Sequence, residues 1–257
     1  MLMRIKRGLG VSAVILVAAL SVATIVRAAD WPMYRGLDHT GISKETGWFD
    51  ASAGVKIVWE KKIGKGFGTI AIGAGRAYAM GSDGAKDTVF CLDAKTGAKV
   101  WSFSYAAKLE PKLHEGGPSA TPTIDGENVY TISKHGDVYC FSADKGKVQW
   151  TRKIKSKKPS WGFSGSPLVS GDLLILNAGA TGTALNKKTG RIVWSSGPGA
   201  SGYATPVPSI QICGLNGRSF AQLRSRHFAP PCQPAWITFQ QKCSQHRSNS
   251  IRSPAKP

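Results

Sequence analysis

The chain has 257 residues, 42% hydrophobic and 19% charged, which is enough apolar content for a folded domain and too little charge for a wholly disordered chain. Its formal net charge of +19 suggests nucleic acid until it is divided along the sequence: residues 1–28 and 209–257 carry eleven basic side chains and no acid, leaving 23 basic and 15 acidic residues, net +8, between them. With a secretory leader and no aromatic interleaving in the basic runs, no nucleic-acid partner is expected, and five cysteines, an odd number, exclude a complete disulfide framework.

Residues 1–28 hold Arg4, Lys6 and Arg7, an uncharged Val/Ala/Leu-rich stretch from Gly8 to Ile25, and Val26-Arg27-Ala28. This order predicts a signal peptide cleaved after Ala28 and a periplasmic or secreted product. The competing reading is an uncleaved anchor, the one route to membrane attachment, because the stretch approaches the length of a span. No Cys stands at the cleavage region to accept a lipid.

From residue 55 onward a repeat governs the text. Cys91-Leu-Asp-Ala-Lys-Thr-Gly97-Ala-Lys-Val-Trp101 returns as Cys140-Phe-Ser-Ala-Asp-Lys-Gly146-Lys-Val-Gln-Trp150 and as Ala184-Leu-Asn-Lys-Lys-Thr-Gly190-Arg-Ile-Val-Trp194. Val55-Lys-Ile-Val-Trp59 precedes them, and the four tryptophans are 42, 49 and 44 residues apart. That period is the length of one four-stranded antiparallel blade, whose faces are hidden only by neighbouring blades. Within each unit Thr121-Pro122, Ser166-Pro167 or Thr205-Pro206 opens the innermost strand. A Gly turn and an apolar strand follow: Gly75-Arg-Ala-Tyr, Gly126-Glu-Asn-Val-Tyr and Gly171-Asp-Leu-Leu-Ile. The third strand runs into the repeated phrase, the Thr-Gly or Lys-Gly pair makes a hairpin turn with Gly at positive φ, and the Trp lies on the outer strand. The predicted fold is all-β: a partial β-propeller of about three and a half four-stranded blades over residues 29–208.

The phrase resembles the tryptophan-docking motif of the pyrroloquinoline-quinone-type propeller repeats. Quinoprotein alcohol dehydrogenases share it with the non-enzymatic outer-membrane assembly lipoproteins of the BamB type. The first copy keeps the motif's Asp93, Thr96, Gly97 and Trp101; the second has Ser142 and Lys145 for Asp and Thr, and the third has Asn186 for Asp. Asp30-Trp-Pro-Met-Tyr-Arg-Gly36 and Gly41-Ile-Ser-Lys-Glu-Thr-Gly47 look like the opening of secreted proteins with this repeat. The resemblance implies structural roles for Trp59, Asp93, Gly97, Trp101, Gly146, Trp150, Gly190 and Trp194.

Two function classes follow from it. One is a periplasmic binding or scaffold propeller that holds envelope proteins; the other is the N-terminal fragment of a quinone-dependent alcohol or sugar dehydrogenase. The dehydrogenases hold the quinone (PQQ) at the axis with Ca²⁺, an Asp base and typically a Cys-Cys pair, and no Cys-Cys pair is present. No cofactor is therefore expected for this stretch, and PQQ with Ca²⁺ only for a complete propeller; no catalytic residue is assigned. Asp83, Asp87, Asp125, Asp137 and Asp172 read as turn residues. His114, Trp161 and Phe163 lie in segments entering blades two and three and are the candidates for a ligand face, against the alternative of loop packing. Cys91 and Cys140 share one repeat position and read as small residues inside a strand, not as a bridge. The run from Arg152 to Lys158 reads as a solvated loop or a site for an anionic lipid or polymer.

After Pro208 the repeat stops in mid-blade and no acidic residue occurs. The tail at 209–257, with Cys213, Cys232 and Cys243, is expected to be out of frame or, alternatively, a disordered basic tail.

Overall fold

The computed structural model describes residues 29–47, 52, 54, 56–111 and 115–208, and the backbone of three strands after them. The candidate leader and most of the tail lie outside the described residues. Three four-stranded sheets follow one another. The first contains β1 (Ala71–Gly73), β2 (Arg76–Ser82), β3 (Lys86–Asp93) and β4 (Lys99–Ala106). The second contains β5 (Thr123–Asp125), β6 (Asn128–Ile132), β7 (Asp137–Ser142) and β8 (Val148–Lys153), and the third β9 (Leu168–Ser170), β10 (Leu173–Leu176), β11 (Thr183–Asn186) and β12 (Ile192–Ser195). Each is an antiparallel meander in sequence order. A three-stranded meander, β13 (Ile210–Gln211), β14 (Phe220–Arg224) and β15 (Trp236–Gln240), occupies part of the tail, where the sequence carries no blade signature. No helix long and apolar enough to cross a membrane occurs among the described residues.

The repeated phrase explains the local geometry of every blade. In the third-to-fourth strand hairpin the Asp93 carboxylate accepts hydrogen bonds from the amides of Lys95 and Thr96 and from the Thr96 hydroxyl, at 3.1, 2.9 and 2.8 Å. Bonding from Thr96 holds the Asp93 carboxyl below its usual range. Asn186 repeats the arrangement with Lys188 and Thr189, so an amide oxygen serves as well as a carboxylate; in blade two the Ser142 hydroxyl accepts from the Lys147 amide instead. The glycines that close the turns have φ of 68°, 67° and 67° at Gly97, Gly146 and Gly190.

Just beyond each turn the register shifts by one residue, between Cys91 and Leu92, Cys140 and Phe141, and Ala184 and Leu185. The outer strand has one extra residue at each shift (Val100, Gln149 or Val193), and the Trp then stands directly opposite the small residue. A small side chain at 91, 140 and 184 leaves room for the indole. Cys91 and Cys140 are indeed free, buried thiols.

Three of the four indoles, those of Trp59, Trp101 and Trp150, rest on the blade that follows. Trp59 donates from Nε1 to the Ala94 carbonyl, Trp101 to that of Ala143 and Trp150 to that of Lys187, at 3.0, 2.9 and 3.0 Å. Tyr78 and Tyr130 add second donors to the Ala143 and Lys187 carbonyls. The ring covers the turn glycine so closely that a methyl group on Gly97, Gly146 or Gly190 would stand 2.6, 2.4 or 2.5 Å from it. Trp194 packs beside Leu168, Ile175 and Ala184. Residues 56–60 form no strand, yet Trp59 makes the same contact as the strand-borne tryptophans.

Two apolar layers hold the blades together. Tyr78, Met80, Val89, Cys91, Trp101, Ile124, Val129 and Phe141 form the layer between blades one and two. Tyr130, Ile132, Val138, Cys140, Phe163, Leu174, Leu176 and Leu185 form that between two and three. Near the start of the described chain Trp31 exchanges two 2.8 Å backbone bonds with Ile72, which covers the inner edge of β1.

Candidate binding site at the inner strand ends

Four short segments enter the innermost strand positions at one end of the arc: Phe67-Gly-Thr69-Ile, Ser119-Ala-Thr121-Pro, Ser164-Gly-Ser166-Pro and Tyr203-Ala-Thr205-Pro. The third residue of each is a hydroxyl, and these hydroxyls tie the segments to one another. The Thr69 amide donates to Thr121 Oγ1 at 3.0 Å, the Thr121 amide to Ser166 Oγ at 2.9 Å and the Ser166 amide to Thr205 Oγ1 at 3.0 Å. A fourth bond joins the Thr69 and Thr121 hydroxyls at 2.9 Å. Three of the four entrance amides thus find an acceptor on the segment that follows, and for buried Thr121 this satisfies a donor that no sheet reaches. Pro122 and Pro167 stand just ahead of β5 and β9, as the strand-opening reading of these pairs expects.

The second residue of each segment is small because the next backbone is close. A methyl on Gly68 would lie 2.5 Å from the Ala120 carbonyl oxygen, and one on Gly165 2.6 Å from that of Ala204. The first residue is unconstrained by these contacts and looks outward. Phe67, Ser119, Ser164 and Tyr203 line a shallow cavity of about 290 Å³, completed by Trp161. Trp161 stacks on Tyr203 with ring centroids 5.0 Å apart and an interplanar angle of 29°. The three aromatic residues are 48%, 42% and 38% exposed at Phe67, Trp161 and Tyr203, so large apolar area faces water here.

The three residues singled out as a ligand face separate. Trp161 belongs to the cavity. Phe163 does not: it is 2% exposed, packed in the layer between blades two and three over Gly136, and the ligand-face expectation is corrected to a core residue. Its burial follows from the Gly162 turn, φ 80°, which sends neighbouring side chains in opposite directions. His114 lies outside the described residues. Sequence reasoning did not single out Phe67 or Tyr203, whose signal is the alignment of four segments two residues ahead of a Ser or Thr.

One aspartate also moves from its expected role. Asp83 caps its turn by accepting from the Ala85 and Lys86 amides, but Asp87 is fully buried on β3 and pairs with Lys134 Nζ at 3.1 Å across the blade boundary. Lys134 also donates to the Ala107 carbonyl at 3.4 Å. The turn reading of Asp87 is corrected, since its side chain points into the interface between blades one and two. Opposite it on β4, burial and the Asp87 charge push the Tyr105 hydroxyl well above its ordinary range. Nearby, Glu110 pairs with Lys158 and with His135 Nδ1 at 3.5 Å; burial lowers the His135 pKa, with Glu110 opposing the shift.

A Ca²⁺-held quinone needs carboxylate and amide oxygens converging on one point. The inner strand ends supply hydroxyls already engaged between blades, and among the described residues no group of three His, Cys, Asp or Glu side chains is placed to hold a metal ion.

Comparison with known proteins agrees with this architecture. The family model for the outer membrane protein assembly factor BamB matches residues 85–213. BamB of Escherichia coli K12 is 31% identical over 107 residues, 37% of this chain and 26% of that protein. BamB of Burkholderia pseudomallei is 24% identical over 179 residues, 55% and 46% of the respective chains. A quinoprotein ethanol dehydrogenase of Pseudomonas putida is 27% identical over 126 residues, 43% and 20%. The solved quinohemoprotein alcohol dehydrogenase of Comamonas testosteroni superposes with a TM-score of 0.53 at 16% identity, over 76% of this chain and 35% of that one. The chain therefore spans between a fifth and just under half of the curated relatives it matches.

Proposed function

Because this chain belongs to the β-propeller family of the outer membrane protein assembly factor BamB, we propose that it works as a non-catalytic binding or scaffold protein of the periplasm, holding other envelope proteins. The observation that carries this reading is the chemistry of the inner strand ends. Their hydroxyls are committed to joining blades, and what they present outward is an aromatic cavity with two serines. Such a surface binds by apolar contact. The rigid ladder beneath it keeps the rings in place, so that binding loses little conformational entropy.

The second reading, a fragment of a quinone-dependent dehydrogenase, draws on the likeness to the Pseudomonas putida enzyme. One experiment separates the two. The chain is produced in a periplasm, cross-linked and isolated, and in parallel incubated with pyrroloquinoline quinone, Ca²⁺, ethanol and a reducible dye. A discrete complex with an envelope protein and no dye reduction supports the scaffold reading; Ca²⁺-dependent dye reduction overturns it.

A further inference from the structure

We propose that the cavity formed by Phe67, Trp161 and Tyr203 is a docking site for an acidic peptide segment bearing an aromatic side chain. This deepens the scaffold reading and rests on it. Three features of the molecule lead here.

The first is shape and lining. Phe67, Ser119, Ser164 and Tyr203 come from four successive segments that are tied together by the hydroxyl ladder, so the cavity is a fixed feature of the arc and not a gap between loops. Its 290 Å³ accommodates one ring-sized side chain. The stacked pair of Trp161 and Tyr203 offers ring faces and edges to a further aromatic group. Its polar groups are few, the Ser119 hydroxyl, the Ser164 hydroxyl that donates to the Tyr203 carbonyl at 3.3 Å, and the tips of the two larger rings, whereas a sugar would need a denser set of fixed partners for its hydroxyls.

The second is charge. Both aromatic walls sit at the end of basic stretches: Lys61-Lys-Ile-Gly-Lys65-Gly-Phe67 on one side and Lys155-Ser-Lys157-Lys-Pro-Ser-Trp161 on the other. Lys61, Lys62, Lys155 and Lys157 are exposed, and no described ion pair engages them. Lys65 is paired only loosely, with Glu115 at 3.9 Å. Four residues of chain span at most about 14 Å between Cα atoms, so Lys157 and Trp161 belong to one short stretch of backbone. A bound segment with carboxylates on either side of its aromatic residue meets positive charge in both directions.

The third is position. The cavity lies at strand entrances, away from the indole contacts and the two apolar layers that hold the blades together, so occupying it disturbs none of them.

The test uses the full chain and a fluorescein-labelled pentapeptide, phenylalanine flanked by two aspartates on each side, read by fluorescence anisotropy. Its twins carry asparagines for the aspartates or alanine for the phenylalanine. The aspartate–phenylalanine peptide is expected to bind at least about fivefold more tightly than either twin at 20 mM salt, with the advantage over the asparagine twin vanishing by 500 mM. Trp161→Ala is expected to weaken binding roughly threefold to tenfold, and the exposed double variant K155Q/K157Q to reduce the salt dependence by about half. Circular dichroism establishes that both variants are folded.

Equal affinity for the aspartate and asparagine peptides overturns the proposal. So does unchanged binding in folded Trp161→Ala. If no peptide binds but the cross-linked envelope complex still forms, this inference falls alone; if dye reduction appears as well, the scaffold reading falls with it.

Discussion

Replacing Gly146 by alanine isolates what the indole contact between blades contributes, because the second blade contains its own control. Gly146 and Gly126 are both turn glycines with positive φ, 67° and 57°, and an L side chain in that region costs roughly 1–2 kcal/mol at either position. The difference lies in what the new methyl meets. At Gly126 nothing stands within 4 Å; at Gly146 the added carbon would be 2.4 Å from the Trp101 ring. Ordinary contact needs more than 3.4 Å, so the indole must retreat by about 1 Å. A retreat of that size stretches the 2.9 Å bond from Trp101 Nε1 to the Ala143 carbonyl past hydrogen-bond range. A buried donor without a partner costs about 1–3 kcal/mol. Gly146→Ala is therefore expected to lose about 2–5 kcal/mol and Gly126→Ala about 1–2. Urea denaturation followed by tryptophan fluorescence measures both, with comparable m-values showing that the same transition is compared. Equal losses for the two variants, within about 0.5 kcal/mol, would refute the claim that the indole–glycine contact holds blade one to blade two.

Three further outcomes follow from the buried groups. Lys134→Met leaves Asp87 unpaired between blades and is expected to cost about 3–5 kcal/mol, whereas the double variant Asp87→Leu/Lys134→Met recovers most of that loss in the same denaturation assay. Burial pushes the Cys140 thiol up to about 11 and raises Cys91 too; at pH 8 neither is expected to react with iodoacetamide until the chain is unfolded, as peptide mass mapping reads directly. Burial also lowers the His135 pKa in the folded state, so the unfolded chain binds the proton more readily; stability should fall as pH drops through about 6.5 towards the folded value, and His135→Gln should flatten that part of the profile, His39 contributing a residual slope of the same sign. The Glu110 carboxyl, held down by Lys158, adds its own loss only at more acid pH, below the usual carboxylate range.

The blade and its internal chemistry were readable from the amino acids alone. A hairpin that needs positive φ takes Gly97, Gly146 or Gly190, an Asp, Asn or Ser folds back on the same turn, and a small residue must face each indole across the register shift; all are local requirements, imposed over a few residues and therefore written at fixed spacing. What the repeat does not state is which surfaces meet. Phe163 and Trp161 are two residues apart in one loop, yet one is core and the other exposed, because only the neighbouring blade decides which side of the loop is covered. Asp87 has the composition of a turn residue until Lys134, 47 positions later, arrives beside it. The hydroxyl ladder and the aromatic cavity likewise combine residues from four segments, successive ones 52, 45 and 39 positions apart, each unremarkable by itself. Local backbone geometry is a property of short stretches and is determined by the sequence itself; burial, charge pairing and the shape of a binding surface depend on what is packed alongside, and the tertiary structure alone decided them.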